Sequence, residues 1–152
     1  MSCLRLKLSK RLKDERLNVH MWLYKGEEFT SDDIKQYYGF TYCITNNITK
    51  KQYIGRKYFY SITRKKPLKG NKRKRVIKVE SNWKDYYGSC DELTKDVTKY
   101  GKALFSREIL GLYKTKGQTN YNETRLLFQN DVINSKMYYN TSILGRWFGD
   151  KK

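Results

Sequence analysis

Apolar and polar residues change their rhythm several times along the chain, and each change marks an element. From Phe40 to Thr45 aromatic and β-branched residues dominate, which predicts a strand. Lys51 to Arg56 predicts a second strand. Asn46-Asn47 and the residues after it supply a turn, so the two segments form an antiparallel hairpin. Upstream, Phe29-Thr30-Ser31-Asp32-Asp33-Ile34 reads as a short helix. It is capped by Thr30 or Ser31, carries acids in its first turn and ends near Gly39. Downstream, Leu93, Val97 and Tyr100 recur at helical spacing and predict a helix over Ser89 to Tyr100. Ser89 and Glu92 have capping-box spacing and Gly101 suits the stop. Leu104 to Leu112 predicts a third strand, built on Leu104, Phe105, Ile109 and Leu110. Asn120 to Ile133 predicts another helix, capped by Asn120, with Tyr121, Thr124, Phe128 and Val132 along one side. The aromatic tail from Tyr138 to Phe148 is expected to pack back on the body.

One stretch has no such pattern. Between Tyr58 and Lys78 lie Arg64, Lys65, Lys66, Lys69, Lys72, Arg73, Lys74, Arg75 and Lys78, nine positive charges with no acid among them. The only proline, Pro67, and Gly70 are there too. This segment predicts an exposed loop or β-ribbon inserted after the second strand. The element order is then hairpin, basic insert, helix, strand, helix, with no internal repeat. It predicts an α/β (α+β) fold, a small three-stranded antiparallel-containing sheet flanked by helices. A length of 152 residues suits a single compact domain. Within it, residues 1–38 form a basic N-terminal arm and short helix, and 39–152 the body.

Charge narrows the choice of partner. The net charge is +18, from 33 basic and 15 acidic residues. Self-repulsion of that size opposes a compact state, and a polyanion relieves it. Nucleic acid is the leading partner, because each neutralised phosphate releases a counterion. A membrane is not expected, since no stretch approaches the roughly 18 apolar residues that a spanning helix requires. The N-terminus lacks the continuous apolar core of a signal peptide. Cys3, Cys43 and Cys90 are odd in number and have no CxxC spacing, which argues against a disulfide framework or zinc site and for a reducing cytoplasm. Aromatic residues reach 15 %, with 14 tyrosines available for cores, phosphates or base stacking.

The candidate chemistry is limited by what is missing. There is one histidine, His20, so no His-metal pair or HNH-type site can be built, and no Ser-His-Asp arrangement is available. No GxxxxGK phosphate loop occurs. Opening a phosphodiester without histidine leaves a carboxylate-held metal and arginine for the developing charge.

Gly39-Phe40-Thr41-Tyr42 followed by Tyr53-Ile54-Gly55, with the tyrosines 11 positions apart, resembles the paired motif of the GIY-YIG endonucleases. Ser89 to Gly101 resembles the family's middle helix, and Tyr100 to Leu110 its glycine-then-strand segment. Asn122-Glu123-Thr124 resembles the start of its glutamate-bearing helix, and Tyr138-Tyr139-Asn140 its terminal motif. The resemblance covers Gly39 to Asn140. It is nearest to small phage enzymes of the Seg type, partly through Trp83-Lys84-Asp85-Tyr86-Tyr87-Gly88-Ser89. The first triplet departs from the pattern, with Phe40 in place of glycine and Thr41 in place of isoleucine.

The resemblance implies a metal-dependent endonuclease acting on double-stranded DNA, of a freestanding homing type, in the host cytoplasm if phage-encoded. It implies Mg²⁺ or Mn²⁺ on Glu123, since magnesium accepts one carboxylate alongside waters and phosphate. Asn120-x-x-Glu123 also has capping-box spacing, a competing use of the same carboxylate. Tyr42 is implied to assist the attacking water, and a phenol of pKa about 10 would need a nearby cation to ionise. Tyr53 is implied to orient water or phosphate, though both tyrosines also suit cross-strand packing. Gly55 would allow a close approach to the backbone or mark a simple bulge. The arginine facing the phosphate is Arg64 by spacing or Arg56 by proximity to the motif. Some relatives carry histidine near the middle helix, where this chain has Tyr86 or Tyr87. Asn140 would fix the glutamate helix, bond near the phosphate or serve a turn. Lys65, Lys66, Lys69, Lys72, Arg73, Lys74, Arg75 and Lys78 would bind DNA, and cutting both strands would call for a homodimer. A non-catalytic nucleic-acid-binding protein with the same fold, or a basic structural protein, remains the alternative.

Overall fold

The computed structural model describes residues 20–150. The basic arm expected from Met1 to Arg16 lies outside them. Among the described residues no helix is long and apolar enough to cross a membrane.

The centre is the expected hairpin. Strand β3 (Gly39–Asn46) pairs antiparallel with β4 (Gln52–Tyr58), placing Tyr42 opposite Gly55 and Ile44 opposite Tyr53. The third long strand, β7 (Phe105–Tyr113), lies antiparallel on the other side of β3. Two short strands extend this three-stranded core to five. Strand β1 (Trp22–Tyr24) pairs parallel with β7, and β2 (Glu27–Glu28) pairs with β1. The sheet order is β2-β1-β7-β3-β4, so β4 is an edge. The boundary expected at residue 38 therefore falls inside the folded unit. Trp22, Phe29 and Ile34, all before it, are core residues.

Side-chain alternation sorts two cores onto the two faces of the sheet. On one face Phe40, Tyr42 and Ile44 of β3 meet Trp22, Phe59, Trp83 and Leu93. On the other, Cys43 and Ile54 meet Leu127, Val132 and Ile143. A register shift between Thr41 and Tyr42 leaves Leu110 of β7 as an extra, exposed residue. That bulge keeps Leu112, beyond it, on the face of Phe105 and Ile109. It also explains why Leu110 is not the core residue its apolarity suggested.

Helix α1 (Asp91–Tyr100) buries Leu93 and Val97 as the spacing predicted, and Gly101 closes it. Its capping box does not form: Ser89 faces Tyr53, and Glu92 pairs with Lys51. Helix α2 (Lys116–Gln129) starts four residues earlier than expected, because the Thr115 hydroxyl accepts from the Gln118 amide and caps it. Asn120 is thus inside the helix. Thr119 and Leu127 face the sheet, and Tyr121 and Phe128 are exposed. The helix expected near Thr30 is a single 3-10 turn, Ser31–Asp33, held by Asp33 accepting from the Thr30 amide and hydroxyl. The basic insert is a ribbon of β5 (Tyr60–Lys65) and β6 (Arg75–Glu80), paired antiparallel apart from the main sheet.

The tail packs back in part. Tyr139 is buried, whereas Phe148, in the small β8 (Ser142–Ile143) and β9 (Trp147–Phe148) pair, is exposed. Residues 137–140 run beside β4: the Gln52 amide donates to Met137, and the Tyr139 amide donates to Gln52. The Tyr139 hydroxyl donates to Asp96 at 2.7 Å and accepts from Asn46 Nδ2 at 3.1 Å.

Phe40 accounts for the departure in the first triplet. It is fully buried, with its ring 4.9 Å from Phe59 and 5.1 Å from Trp22. Phe40→Ala is expected to cost roughly 3–5 kcal/mol, seen as a Tm fall of roughly 10 °C. A second expectation concerns alkaline pH. Burial, then the bond to Asp96, pushes the Tyr139 phenol from 10.0 up to about 12. The folded state holds this proton after the unfolded chain has lost it. The stability linked to it is therefore intact below pH 10 and lost as pH rises from about 10 towards 12. Urea unfolding between pH 8 and 11 should show that decline, and Tyr139→Phe should flatten it.

Candidate active site

Gly55 decides where the site lies. The Tyr42 ring stands across it, so a Cβ at position 55 would lie 2.5 Å from the Tyr42 hydroxyl and 2.7 Å from Cζ. Only a residue without a side chain lets the phenol reach along the strand towards the edge. The close approach foreseen for Gly55 is therefore the Tyr42 ring, and no bulge interrupts β3–β4 pairing there. A cleft of about 850 Å³ opens at this edge, lined by Tyr42, Tyr53, Gly55, Arg56, Tyr86 and Glu123 among others.

Tyr42 and Tyr53 share a face, with ring centroids 6.2 Å apart, and the Tyr86 ring meets Tyr42 edge-on at 6.0 Å. The Tyr53 hydroxyl lies 3.3 Å from Ser89 Oγ. Gly88 makes this wall possible. It has φ of +84°, and a Cβ on it would meet Leu93 at 2.9 Å and Tyr53 at 3.0 Å. Of the two tyrosines just before α1, Tyr86 reaches the cleft and Tyr87 packs on Arg107.

Among the described residues no cation lowers the Tyr42 phenol. Burial holds its pKa well above 10.0, and Tyr53, Tyr86 and the Glu123 charge push the same way. Tyr53 is raised as well, again mainly by burial. Both are neutral phenols at physiological pH, able to donate and accept hydrogen bonds but not present as tyrosinate. An arginine close to the motif is committed to another partner.

That arginine is Arg56. Its Nη1 donates to Glu123 Oε2, and its Nε donates to the Tyr58 hydroxyl at 3.1 Å. Tyr58 in turn donates to Asn120 Oδ1, one turn before Glu123 on α2. Burial would lower the Arg56 pKa, but the Glu123 charge and these bonds raise it overall. The Asn120–Glu123 capping box does not form, so the carboxylate is available to the cleft. Arg64 is on the exposed face of β5, lining the outer cleft. The structure thus brings Arg56, not Arg64, to the glutamate.

Asn140 meets the backbone of the edge strand. Its side chain accepts from the Ile54 amide at 3.1 Å and donates to the Ile54 carbonyl at 2.8 Å, as a neighbouring strand would. The tail therefore covers the β4 edge as far as Ile54, and the cleft begins at Gly55. Asn140 is a positioning residue for that edge.

Arg107 escaped the sequence reading. It is a buried cation on β7, donating to the carbonyls of Lys84, Tyr86 and His20, with its guanidinium between the Trp22 and Tyr87 rings. It fixes the segment that carries Tyr86. Its signal was the alternation Phe105-x-Arg107-x-Ile109, which puts an arginine on the core face.

Among the described residues no group of three or more His, Cys, Asp or Glu side chains could hold a metal. Glu123 is the one carboxylate lining this cleft among them. A single carboxylate, with Oε2 turned to Arg56, suits a magnesium-like ion that keeps waters and takes phosphate oxygens. It does not suit zinc, which takes three or four protein donors.

Gly55→Ala should destabilise the fold by roughly 1–3 kcal/mol, as overpacking does. Tyr42→Phe in the same chain should recover only part of that, because Cζ remains 2.7 Å from the new methyl. Urea unfolding of the two variants measures both.

No curated protein and no solved structure shows a significant match to the chain. A family model does, that described as "Putative endonuclease segE, GIY-YIG domain", over residues 22–143. The match takes in Trp22 at one end and Ile143 at the other, the two residues between which the sheet, the cleft and the glutamate helix are built, and the chain belongs to this SegE-type GIY-YIG endonuclease domain family.

Proposed function

We propose that this chain is a divalent-metal-dependent endonuclease that hydrolyses phosphodiester bonds in double-stranded DNA. The observation that carries this reading is the meeting of Tyr42, Tyr53, Arg56 and Glu123 in one cleft at the edge of β4. The family supports nuclease activity, and the net charge of +18 supports a nucleic-acid substrate. A freestanding homing enzyme of a phage, acting in a reducing cytoplasm, is the context we favour. Free Cys43 and Cys90 suit that compartment.

In hydrolysis, a water oxygen bonds to phosphorus as the bond to one ester oxygen breaks, and charge builds on the phosphoryl oxygens. Glu123 would hold the Mg²⁺ or Mn²⁺, which supplies Lewis-acid stabilisation of that charge. Tyr42, as a neutral phenol, would accept a hydrogen bond from the attacking water and aim it. Tyr53, backed by Ser89, would donate to a phosphate oxygen. Arg56, paired with Glu123 at rest, would turn to the phosphate and there meet the growing negative charge. Arg64 and the exposed Lys65, Lys66, Lys69, Lys72, Arg73, Lys74, Arg75 and Lys78 would hold the duplex. Cutting both strands with one such site calls for two copies, which we assign to a homodimer on DNA.

Supercoiled plasmid with Mg²⁺ or Mn²⁺ tests the reading. Wild type should convert it to nicked or linear form. Glu123→Ala and Arg56→Ala should each lose at least about 100-fold in rate, the scale of removing one stabilising group. Wild type that binds plasmid yet leaves it intact with both metals would establish the non-catalytic alternative. Glu123→Ala cutting as fast as wild type would remove the metal assignment.

A further inference from the structure

The β5–β6 ribbon has features that a phosphate clamp does not require. A clamp needs cations only, yet Ile62, Val76 and Val79 stand 52–64 % exposed on it. Antiparallel partners share a face, so Tyr60, Ile62 and Arg64 lie with Glu80, Lys78 and Val76. Tyr60, Ile62 and Arg64 also line the cleft that holds Tyr42 and Glu123. The Lys78 ammonium sits 3.9 Å from the centre of the Tyr60 ring, joining the two strands on that face. Five cations, Lys66, Lys69, Lys72, Arg73 and Lys74, lie instead in the connecting loop.

The root of the ribbon is anchored. Phe59, fully buried, ends the run of β4, its amide donating to Tyr38 and its carbonyl accepting from Ser81. The Ser81 hydroxyl donates to the Tyr58 carbonyl at 2.6 Å, and Trp83 packs on Phe59 at 5.3 Å. The ribbon therefore leaves the body at a fixed point beside the cleft.

Resting on the nuclease reading, we infer that this ribbon enters the major groove of duplex DNA next to the scissile phosphate, and that its cleft-side face selects sequence there. The major groove, about 12 Å wide and about 8.5 Å deep, admits a two-stranded ribbon, and the minor groove of an undeformed duplex, about 6 Å wide, is too narrow for one. Six residues per strand extend about 20 Å at about 3.3 Å each, enough to follow several base pairs. Arg64 can pair with the acceptors of guanine, Lys78 reaches the same edge, and Ile62 and Val76 offer apolar contact to thymine methyls. The loop cations meet phosphates on either side and carry no sequence information. The major groove of A-form RNA is too deep and narrow for this fit, so the partner is B-form DNA.

The test uses the full chain without divalent metal, so that binding is read apart from cutting. A labelled duplex of about 30 base pairs is challenged with methyl green, which occupies the major groove, with netropsin, which occupies the minor groove, and with double-stranded RNA. Methyl green should displace the protein, and netropsin and RNA should not. Among sequences selected from a random duplex library, Arg64→Gln should relax the preference at one position by about fivefold or more. Lys69→Gln with Lys72→Gln and Lys74→Gln should instead weaken all sequences evenly and flatten the salt dependence, by about 0.9 in log–log slope per lost phosphate contact. Displacement by netropsin, equal competition by RNA, or an unchanged selection with Arg64→Gln would each overturn the inference. Groove binding by a chain that never cuts would uphold it and refute the nuclease reading alone.

Discussion

The phenol of Tyr42 lies 2.5 Å from where the Cβ of residue 55 would be, too close for any side chain there, and most of the site follows from that exclusion. A strand edge normally presents side chains on both faces, which keep groups on opposite faces apart. At Gly55 this barrier is missing. Tyr42 and Tyr53, on the face of the aromatic core, and Arg56 and Glu123, on the face of α2, line one cleft around the edge of β4. Two neighbouring devices protect the opening. Asn140 mimics a strand on Ile54 and closes the edge up to that residue. Phe59 then turns the chain out of the sheet into the ribbon.

Electrostatics inside the cleft divide the labour. The tyrosines are buried and next to a carboxylate, so they stay neutral and work by orientation. Among the described residues the close charge pair there is Arg56 with Glu123, and each is the other's counterion. Neither is left as an isolated charge, whose partial burial would be costly. An incoming phosphate and a cation offer each of them a new partner of the right sign.

How far the sequence could be read depended on how local each feature is. The hairpin, α1, β7 and the ribbon were legible because periodicity and turn residues mark them within a few positions. Strand β1 was not, since Trp22-Leu23-Tyr24 is too short for a pattern and pairs with Arg107 to Ile109, far along the chain. The start of α2 was misplaced because Thr115 and Asn120 are both competent caps, and only packing decides between them. In the site, the tyrosines and Glu123 could be found from their motifs. The arginine could not be chosen by spacing, because after Tyr58 the chain leaves the main sheet as a ribbon and takes Arg64 with it. Arg56 is brought to Glu123 by register, through the alignment of β4 with α2. The role of Asn140 was hidden for a similar reason: a side chain pairing with a backbone leaves no mark in composition.

We propose that one carboxylate, Glu123, holds one divalent ion at the edge of β4 together with DNA phosphate. Titrating Mn²⁺ by electron paramagnetic resonance, on the protein bound to a non-hydrolysable phosphonate duplex, tests it most directly. One tightly held Mn²⁺ per chain is expected, absent without duplex and absent in Glu123→Gln. Two ions per chain, or one that persists in Glu123→Gln, would contradict it.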